Sequence, residues 1–589
     1  MGSAVEADVL GSAAARNPEN VAANAYRRWL TGWSPTPLVL IALLLLLILP
    51  PLYYLLKTSL YTTEVDGSFG EFTFAYYADL LSSPRFFGHF VNSSIFAAGS
   101  GLVAIVLGAG QAWIVERTDT PLRQYVFLIA VVSLGIPHVL YTVAWLLILG
   151  KSGPVNLFLM GVFGSDTPLF FANGLWGMIL VEGMIWVPLG FLLFSSVFRL
   201  SDLSFEEAAL MSGASIFTTF RRITLKLATP AALALLLLVC VRAFEAFDIP
   251  ALVGSAGGVS VLSTDIFESI RKDLPSNYGQ AGVFSVILML VVVLLLSLQR
   301  RLLKHSERYQ TITGKGYRPH VMRLGKWRYL TASILWLLFF LLLVLPVGII
   351  VLASLLPFYD GLRFEVFGRM TLDNYRLVAQ SASFRGAILN TIVMGAATAT
   401  LVCLLTAGSA WLSVRRYKGG WLLDQLATLP LIFPAIVLGV AFLQLFLNAP
   451  IAIYGTLSSL VIAAVVQYLP YGMRFCYAGA LQIHRELEEA AEMSGAKRFV
   501  IYFRIVLPLM APSVATSWLF VLLLSVRAVA MPILLVGPRS QIVAVTLFDL
   551  WGNGQVTSLA AVGVTWSALM MCIGIVFYRI ARRYGLTVS

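Results

Sequence analysis

Charge is scarce in this sequence. Asp, Glu, Lys and Arg make up 12% of 589 residues against 59% hydrophobic types, and the mean hydropathy is +0.85. That leaves too little polar surface to cover a water-soluble globule. Cysteine is nearly absent. Cys240, Cys403, Cys476 and Cys572 lie inside apolar stretches without paired spacing, so a disulfide framework or thiolate cluster is unsupported. The five histidines form no H-x-x-H or carboxylate–histidine pattern, so His89 and His138 read as structural and no metal site is expected. The phosphate loop G-x-x-x-x-G-K-[ST] is missing as well. GSAGGVS at 254–260 lacks its lysine, so ATP hydrolysis by this chain is not expected. Nor does a set of nucleophile, base and metal ligands gather at one membrane face, which argues against a membrane enzyme.

What the sequence does have is long apolar runs. PLVLIALLLLLILPPLYYLL (37–56) and VFSVILMLVVVLLLSL (283–298) are long enough to cross a bilayer and lack the alternation of a barrel strand. The fold class is therefore an all-α polytopic membrane protein. Spans are expected near 37–57, 90–114, 124–150, 173–198, 226–247 and 279–299. A second set is expected near 329–356, 386–413, 421–447, 453–480, 507–531 and 557–580. The first 33 residues are polar and Ala-rich, and the first span is read as an uncleaved anchor. The net charge of +12 does not point to nucleic acid, because the basic residues cluster at the ends of apolar runs, where they meet lipid headgroups.

These spans divide into a tail (1–36), a six-span half (37–299), a basic linker (300–328) and a second six-span half (329–589). The linker carries nine Lys or Arg and one Glu, and the positive-inside bias puts it in the cytoplasm. Segments 57–90 and 248–278 each hold four acidic and two basic residues and are expected outside. Arg27 and Arg28 at one end, and Arg579, Arg582 and Arg583 at the other, place both termini in the cytoplasm. The halves look like copies. FEEAALMSGA (205–214) returns as LEEAAEMSGA (487–496), eight of ten positions agreeing at an offset of 282. WVPLGF (186–191) echoes YLPYGM (468–473) at that offset, whereas Asn92 and Asn390, and Trp113 and Trp411, are 298 apart. Six spans return the chain to its starting side, so the repeats are parallel, with a pathway expected between them.

Both decapeptides should face the cytoplasm. In the first copy, Ser204 and Glu207 have capping-box spacing, predicting a helix from Phe205 and a left-handed stop at Gly213. A second short helix, Ala214 to Arg222, should follow before the chain returns to the membrane. In the second copy Glu486 stands where the capping Ser would be, yet Glu489 persists, so something outside the chain is expected to read it. The pattern E-A-A, three residues, Gly, nine residues, I-x-L-P resembles the EAA loop of permease subunits of bacterial ABC importers. It is complete at Glu489, Ala490, Ala491, Gly495, Ile505, Leu507 and Pro508 within 484–508. Within 201–226 it matches at Glu207, Ala208, Ala209, Gly213, Ile223 and Leu225, while Lys226 replaces the proline. FEAFDIPALVG (244–254), VLSTDIFESI (261–270), NYGQAG (277–282) and VTLFDLWGNGQ (545–555) look like the iron(III)-type permeases of that family.

The resemblance implies the type I importer permease fold in the bacterial inner membrane. It implies two copies of a separate ABC ATPase subunit that bind the ATP and Mg, and a periplasmic substrate-binding protein; this chain itself would bind no cofactor. Glu206, Glu207, Ala208, Ala209 and Gly213, with Glu488, Glu489, Ala490, Ala491 and Gly495, would form the ATPase-coupling loops. Glu207 and Glu489 would make the polar contact, and Gly213 and Gly495 the bends. The implied cargo is ferric iron; relatives of this type also move thiamine, phosphorylated compounds or phosphonates. Among the membrane charges, Glu182 could line the pathway or bond within the bundle. Arg242, Glu245, Asp248 and Arg527 could ring an external mouth or anchor at the interface. Pro188 and Pro470 are read as softened points in their spans. The competing reading, an ion-gradient transporter, would want more intramembrane ionisable residues and leaves the doubled loop unexplained.

Overall fold

The computed structural model describes residues 35–133, 135–169, 172–200, 204–273, 275–304, 324–361 and 364–583. The 1–34 part of the tail and most of the 300–328 linker lie outside the described residues, as do the side chains of Ser204, Phe205 and Glu207. Among the described residues, eleven helices are long and apolar enough to cross a membrane, or up to thirteen if two bent pairs count as spans. The only strands among the described residues form a hairpin of Tyr61–Thr63 and Phe69–Phe72. Large apolar side chains remain outside: Leu46, Leu102, Leu294 and Leu404 are 60–68% exposed, a surface suited to acyl chains.

The twelve expected spans need two local corrections. The continuous span predicted over 124–150 instead forms Gln124–Ser133 and then a helix that begins at His138, after Pro137. In the second half, the span expected over 421–447 is a bent pair, Gly420–Ile432 and Ala435–Leu447, turned by 103°. Proline causes both breaks by barring helical geometry at the residue before it; Phe433, ahead of Pro434, is extended at φ −93°, ψ 114°.

A third correction concerns 248–278, expected as an external polar loop. It folds as Pro250–Gly257 and Leu262–Arg271, bent by 85°, with Val261, Leu262, Ile266 and Ile270 buried. The charged residues responsible for the loop reading divide, with Lys272 and Asp273 exposed and others absorbed. Asp265, for example, is buried against His89 at 2.9 Å. The second half has the equivalent short helix, Val543–Gly552.

In each half a long helix forms the spine: Pro84–Arg117 in the first, Ala382–Val414 in the second. Against these pack Leu175–Leu200 and Leu457–Leu481, which run unbroken through Pro188 and Pro470. The glycine two residues after each proline is needed for close approach. A Cβ on Gly190 would sit 2.9 Å from the Ala104 carbonyl oxygen, and one on Gly472 would sit 2.4 Å from Val402. Small residues that let helix backbones approach are the main packing device where solvent is lipid. The core continues across the two halves. Phe247 and Phe267 of the first half meet Phe548 of the second at 5.7 and 6.1 Å between ring centroids. Arg271 donates to the Ile533 carbonyl at 2.7 Å, and Thr120 meets Thr331 at 2.6 Å.

Candidate functional site

The repeated decapeptides fold alike. The first copy is a helix, Ser204–Met211, then a bend, the turn Ile216–Thr219, a π-turn Phe220–Thr224 and the span Leu225–Glu245. The second runs Glu486–Met493, bend, Arg498–Ile501, π-turn Tyr502–Val506 and Leu507–Ser525. Lys226 therefore leaves the order of elements unchanged where the motif proline is replaced. Each bend sits on a glycine in the left-handed region, Gly213 at φ +81° and Gly495 at φ +82°. Beyond each glycine a backbone N–H reaches back five residues, Ala214 to Ala209 and Ala496 to Ala491, both at 3.0 Å. That closes the helix end as a Schellman-type stop. Nothing lies within 4 Å of a Cβ added at either glycine, so the requirement is conformational. With the bent pair Gly420–Ile432 and Ala435–Leu447 counted as a crossing and Pro250–Gly257 and Leu262–Arg271 as folded back, six crossings separate the two loops, so they emerge at the same end of the bundle, here termed the loop end.

The first glutamate of each doublet is buried. Glu488 is buried, accepting from Trp411 Nε1 at 3.0 Å and Arg415 Nε at 2.7 Å, with Arg415 Nη2 also 2.6 Å away. Arg415 further donates to the Ile483 carbonyl at 2.9 Å. Glu206 is likewise buried, accepting from Thr224 Oγ1 at 2.8 Å with Arg117 Nη2 3.6 Å away. These first glutamates of the coupling loops point into the chain, where a buried carboxylate needs a cationic or hydrogen-bonding partner. Glu489 faces outward and pairs with Arg485 at 2.9 Å. The Glu207 side chain lies outside the described residues. Ala208 and Ala490 are exposed, while Ala209 and Ala491 are half-buried.

Several residues escaped the sequence reading. Met211 and Met493, at equivalent positions, are each 89% exposed, although neither lies on a membrane span. Arg117 and Arg415 share the offset of 298 with Trp113 and Trp411, giving W-x-x-x-R twice, a signal present in the sequence. Thr224 carried no such signal.

A second polar group lies between the halves. Arg242 pairs with Glu245 at 2.9 Å and donates across to Tyr471 at 3.0 Å. Asp248 and Arg527 act on one another electrostatically, and Arg527 is also within reach of Tyr468 and Tyr471. Glu182 is buried, accepts from Trp186 Nε1 at 2.8 Å and feels the Asp248 charge. Tyr471 gives the depth of the Arg242 contact in the second half. Fourteen residues past the start of Leu457–Leu481, it stands about 21 Å along that helix at 1.5 Å per residue, so Arg242 meets the second half deep within a span. The charges converge inside the bundle.

The model of the family described as binding-protein-dependent transport system inner membrane component matches residues 104–308 and again 399–585. The chain belongs to this family. Each match contains one of the two loops, so the chain is a permease of the ABC importer class with both halves fused in one multi-pass polypeptide. The chain is 25% identical over 496 residues to the ferric transport system permease protein FbpB of Actinobacillus pleuropneumoniae, covering 83% of this chain and 70% of that one. A putative ferric transport system permease of Haemophilus influenzae is 26% identical over 438 residues, 72% of this chain and 67% of the relative. A putative 2-aminoethylphosphonate transport system permease protein, PhnV of Salmonella paratyphi A, is 26% identical over 256 residues, 43% of this chain and 94% of the relative. Among solved structures, a bacterial ABC transporter that imports the acidic polysaccharide alginate matches 48% of the permease and 98% of its own chain, at 20% identity and a TM-score of 0.37.

Proposed function

We propose that this permease forms the pathway of an ATP-driven importer and takes its energy from two copies of a separate ABC ATPase subunit. The observation that carries this reading is the matched pair of loops at one end of the bundle. Each is held by the same glycine bend and each presents a methionine at 89% exposure. An unbranched, polarizable side chain fits an irregular apolar groove. In this reading the exposed methionine of each loop is the apolar part of the contact surface. Glu489, and Glu207 in the first loop, supply the polar component beside it. Gly213 and Gly495 set the angle between docking helix and span.

In this reading the loop end and both termini are cytoplasmic, and a periplasmic binding protein delivers cargo to the opposite end. Cargo then passes between the halves, along the group formed by Glu182, Arg242, Glu245, Asp248, Arg527, Tyr468 and Tyr471. Ferric iron is the proposed cargo, favoured because relatives named for it share the fused architecture over 72–83% of this chain. A phosphonate is the second reading, carried by a relative that aligns over 43%.

The test is retention of the ATPase on the purified permease. Replacing Glu207 and Glu489 together by Ala should lower retention about tenfold, as expected when two outward charge-assisted contacts are lost. Membrane insertion and permease yield should not change. Retention equal to wild type would count against these loops as the docking surface.

A further inference from the structure

The long helix of each half is fastened at both ends by side chains that repeat at one offset. At the loop end, Trp411 and Arg415 of Ala382–Val414 and its C-terminal flank grip Glu488, 3.0 and 2.7 Å away. Toward the far end, Asn390 donates to the Gln541 and Arg539 carbonyls at 2.9 and 3.1 Å, and Thr391 Oγ1 accepts from the Val543 N–H at 2.9 Å. Those last partners lead into and begin the short helix Val543–Gly552. The first half repeats the arrangement 298 residues earlier. Asn92 donates to the Ser260 carbonyl at 3.2 Å, and Ser93 Oγ accepts from the Leu262 N–H at 3.0 Å, at the start of Leu262–Arg271. Its loop-end partner is Arg117, 3.6 Å from Glu206.

From Thr391 to Arg415 is 24 residues, about 36 Å of helix at 1.5 Å per residue, which exceeds the hydrocarbon thickness of a bilayer. A single rigid element thus joins the loop helix on one side of the membrane to the short folded-back helix on the other. The covalent route between them is less direct. It passes the Gly495 bend and the π-turn Tyr502–Val506, where a push on the loop can be absorbed as bending.

We propose that Ala382–Val414 and Pro84–Arg117 are coupling rods. Glu488 with Arg415 and Trp411 forms the loop-end clamp, and Asn390 with Thr391 forms the far-end clamp; Glu206–Arg117 and Asn92–Ser93 are their counterparts. A shift of the docked loop helix is passed along the rod to Leu262–Arg271 or Val543–Gly552, between which cargo is admitted; movement caused by a binding protein at the far end travels back to the ATPase. These are positioning residues, acting through the loop helix and the short far-end helix that they hold. The clamp on Glu488 is closer than that on Glu206, one of whose carboxylate oxygens, Oε2, is buried without a hydrogen-bond partner among the described residues. The second half is accordingly the stronger rod. This inference rests on the proposed docking of the loops on an ATPase.

The experiment uses the full permease with its ATPase and binding protein in liposomes, comparing Glu488→Gln, Thr391→Val and the double variant. The ATPase should stay bound to all three, because Met493 and Glu489 are unaltered. Stimulation of ATP hydrolysis by the binding protein should fall about tenfold in each single variant, the scale of one lost buried charge-assisted or backbone hydrogen bond. The double variant should be no worse than the poorer single one, because both cut the same rod. Glu206→Gln should reduce stimulation less than Glu488→Gln. Full stimulation in either single variant, or losses that multiply in the double one, would overturn the rod. In the permease alone, trypsin should cut after Arg485 and Arg498 several-fold faster in Glu488→Gln than in wild type, reflecting the loosened clamp. An unchanged cutting rate would overturn the clamp irrespective of any partner. Failure of the wild-type permease to hold the ATPase would instead reject the importer reading on which the rod depends.

Discussion

Replacing Met211 and Met493 together by Asp should remove the ATPase from the permease almost completely, lowering affinity about a hundredfold or more. Each methionine stands 89% exposed on a short helix fixed by a closed glycine bend, so the free permease loses nothing by the change. In the complex the balance differs. Burying a methionine side chain contributes about 1.5–3 kcal/mol, so the pair contributes about 3–6 kcal/mol before any charge effect is counted. An aspartate placed in the same apolar groove adds a desolvation cost. At about 1.4 kcal/mol per tenfold, even the lower figure exceeds a hundredfold in affinity. Each single variant should retain part of the binding, because two loops engage two subunits. The readout is the ratio of ATPase to permease after affinity purification, with thermal unfolding as a check on the fold. An unchanged ratio would mean that the exposed methionines serve something else.

Arg242→Ala should be the most damaging single substitution in the interior group. It removes the only cation that the described residues pair directly with Glu245 and cuts the hydrogen bond to Tyr471 in the other half. Breaking a fully buried ion pair costs about 3–5 kcal/mol through the stranded charge. Arg242 keeps a third of its side-chain exposure, so about 2–3 kcal/mol is expected here. Removing Glu245 as well should recover most of the stability, because no charge is then left unpaired. Transport should not recover, since the link between the halves stays absent. Unfolding in detergent for Arg242→Ala, Glu245→Ala and the double variant gives the coupling energy as a double-mutant cycle. A cycle that closes near zero would mean that Arg242 acts independently of Glu245.

The repeat was the most legible feature of the sequence, because a charged decapeptide spelled twice in an apolar chain has few causes. The glycine stops were legible too: Gly213 and Gly495 follow their helices where a left-handed residue is required, and both have positive φ. The burial of the first glutamate in each doublet was not. The motif singles out Glu207, but nothing in one dimension says that Glu206 is buried. Only the arrival of Thr224 and Arg117, 18 and 89 residues away, turns the first inward. The W-x-x-x-R repeat could have suggested the partner, since its period matches that of Asn92 and Asn390. Span breaks at Pro137 and Pro434 were hidden by hydropathy, which averages over a proline without registering the backbone geometry it imposes. The folded-back segment after Asp248 was hidden for the opposite reason. Its acidic residues read as solvent-facing because His89, 176 positions from Asp265, cannot be seen as a partner in sequence.

The most direct test of the account is cargo uptake by liposomes containing the purified permease, its ATPase and its binding protein. Uptake should require all three components together with ATP on the loop side, and should cease when ATP is replaced by a non-hydrolysable analogue. Uptake by the permease alone, driven by an imposed ion gradient without the ATPase, would contradict it.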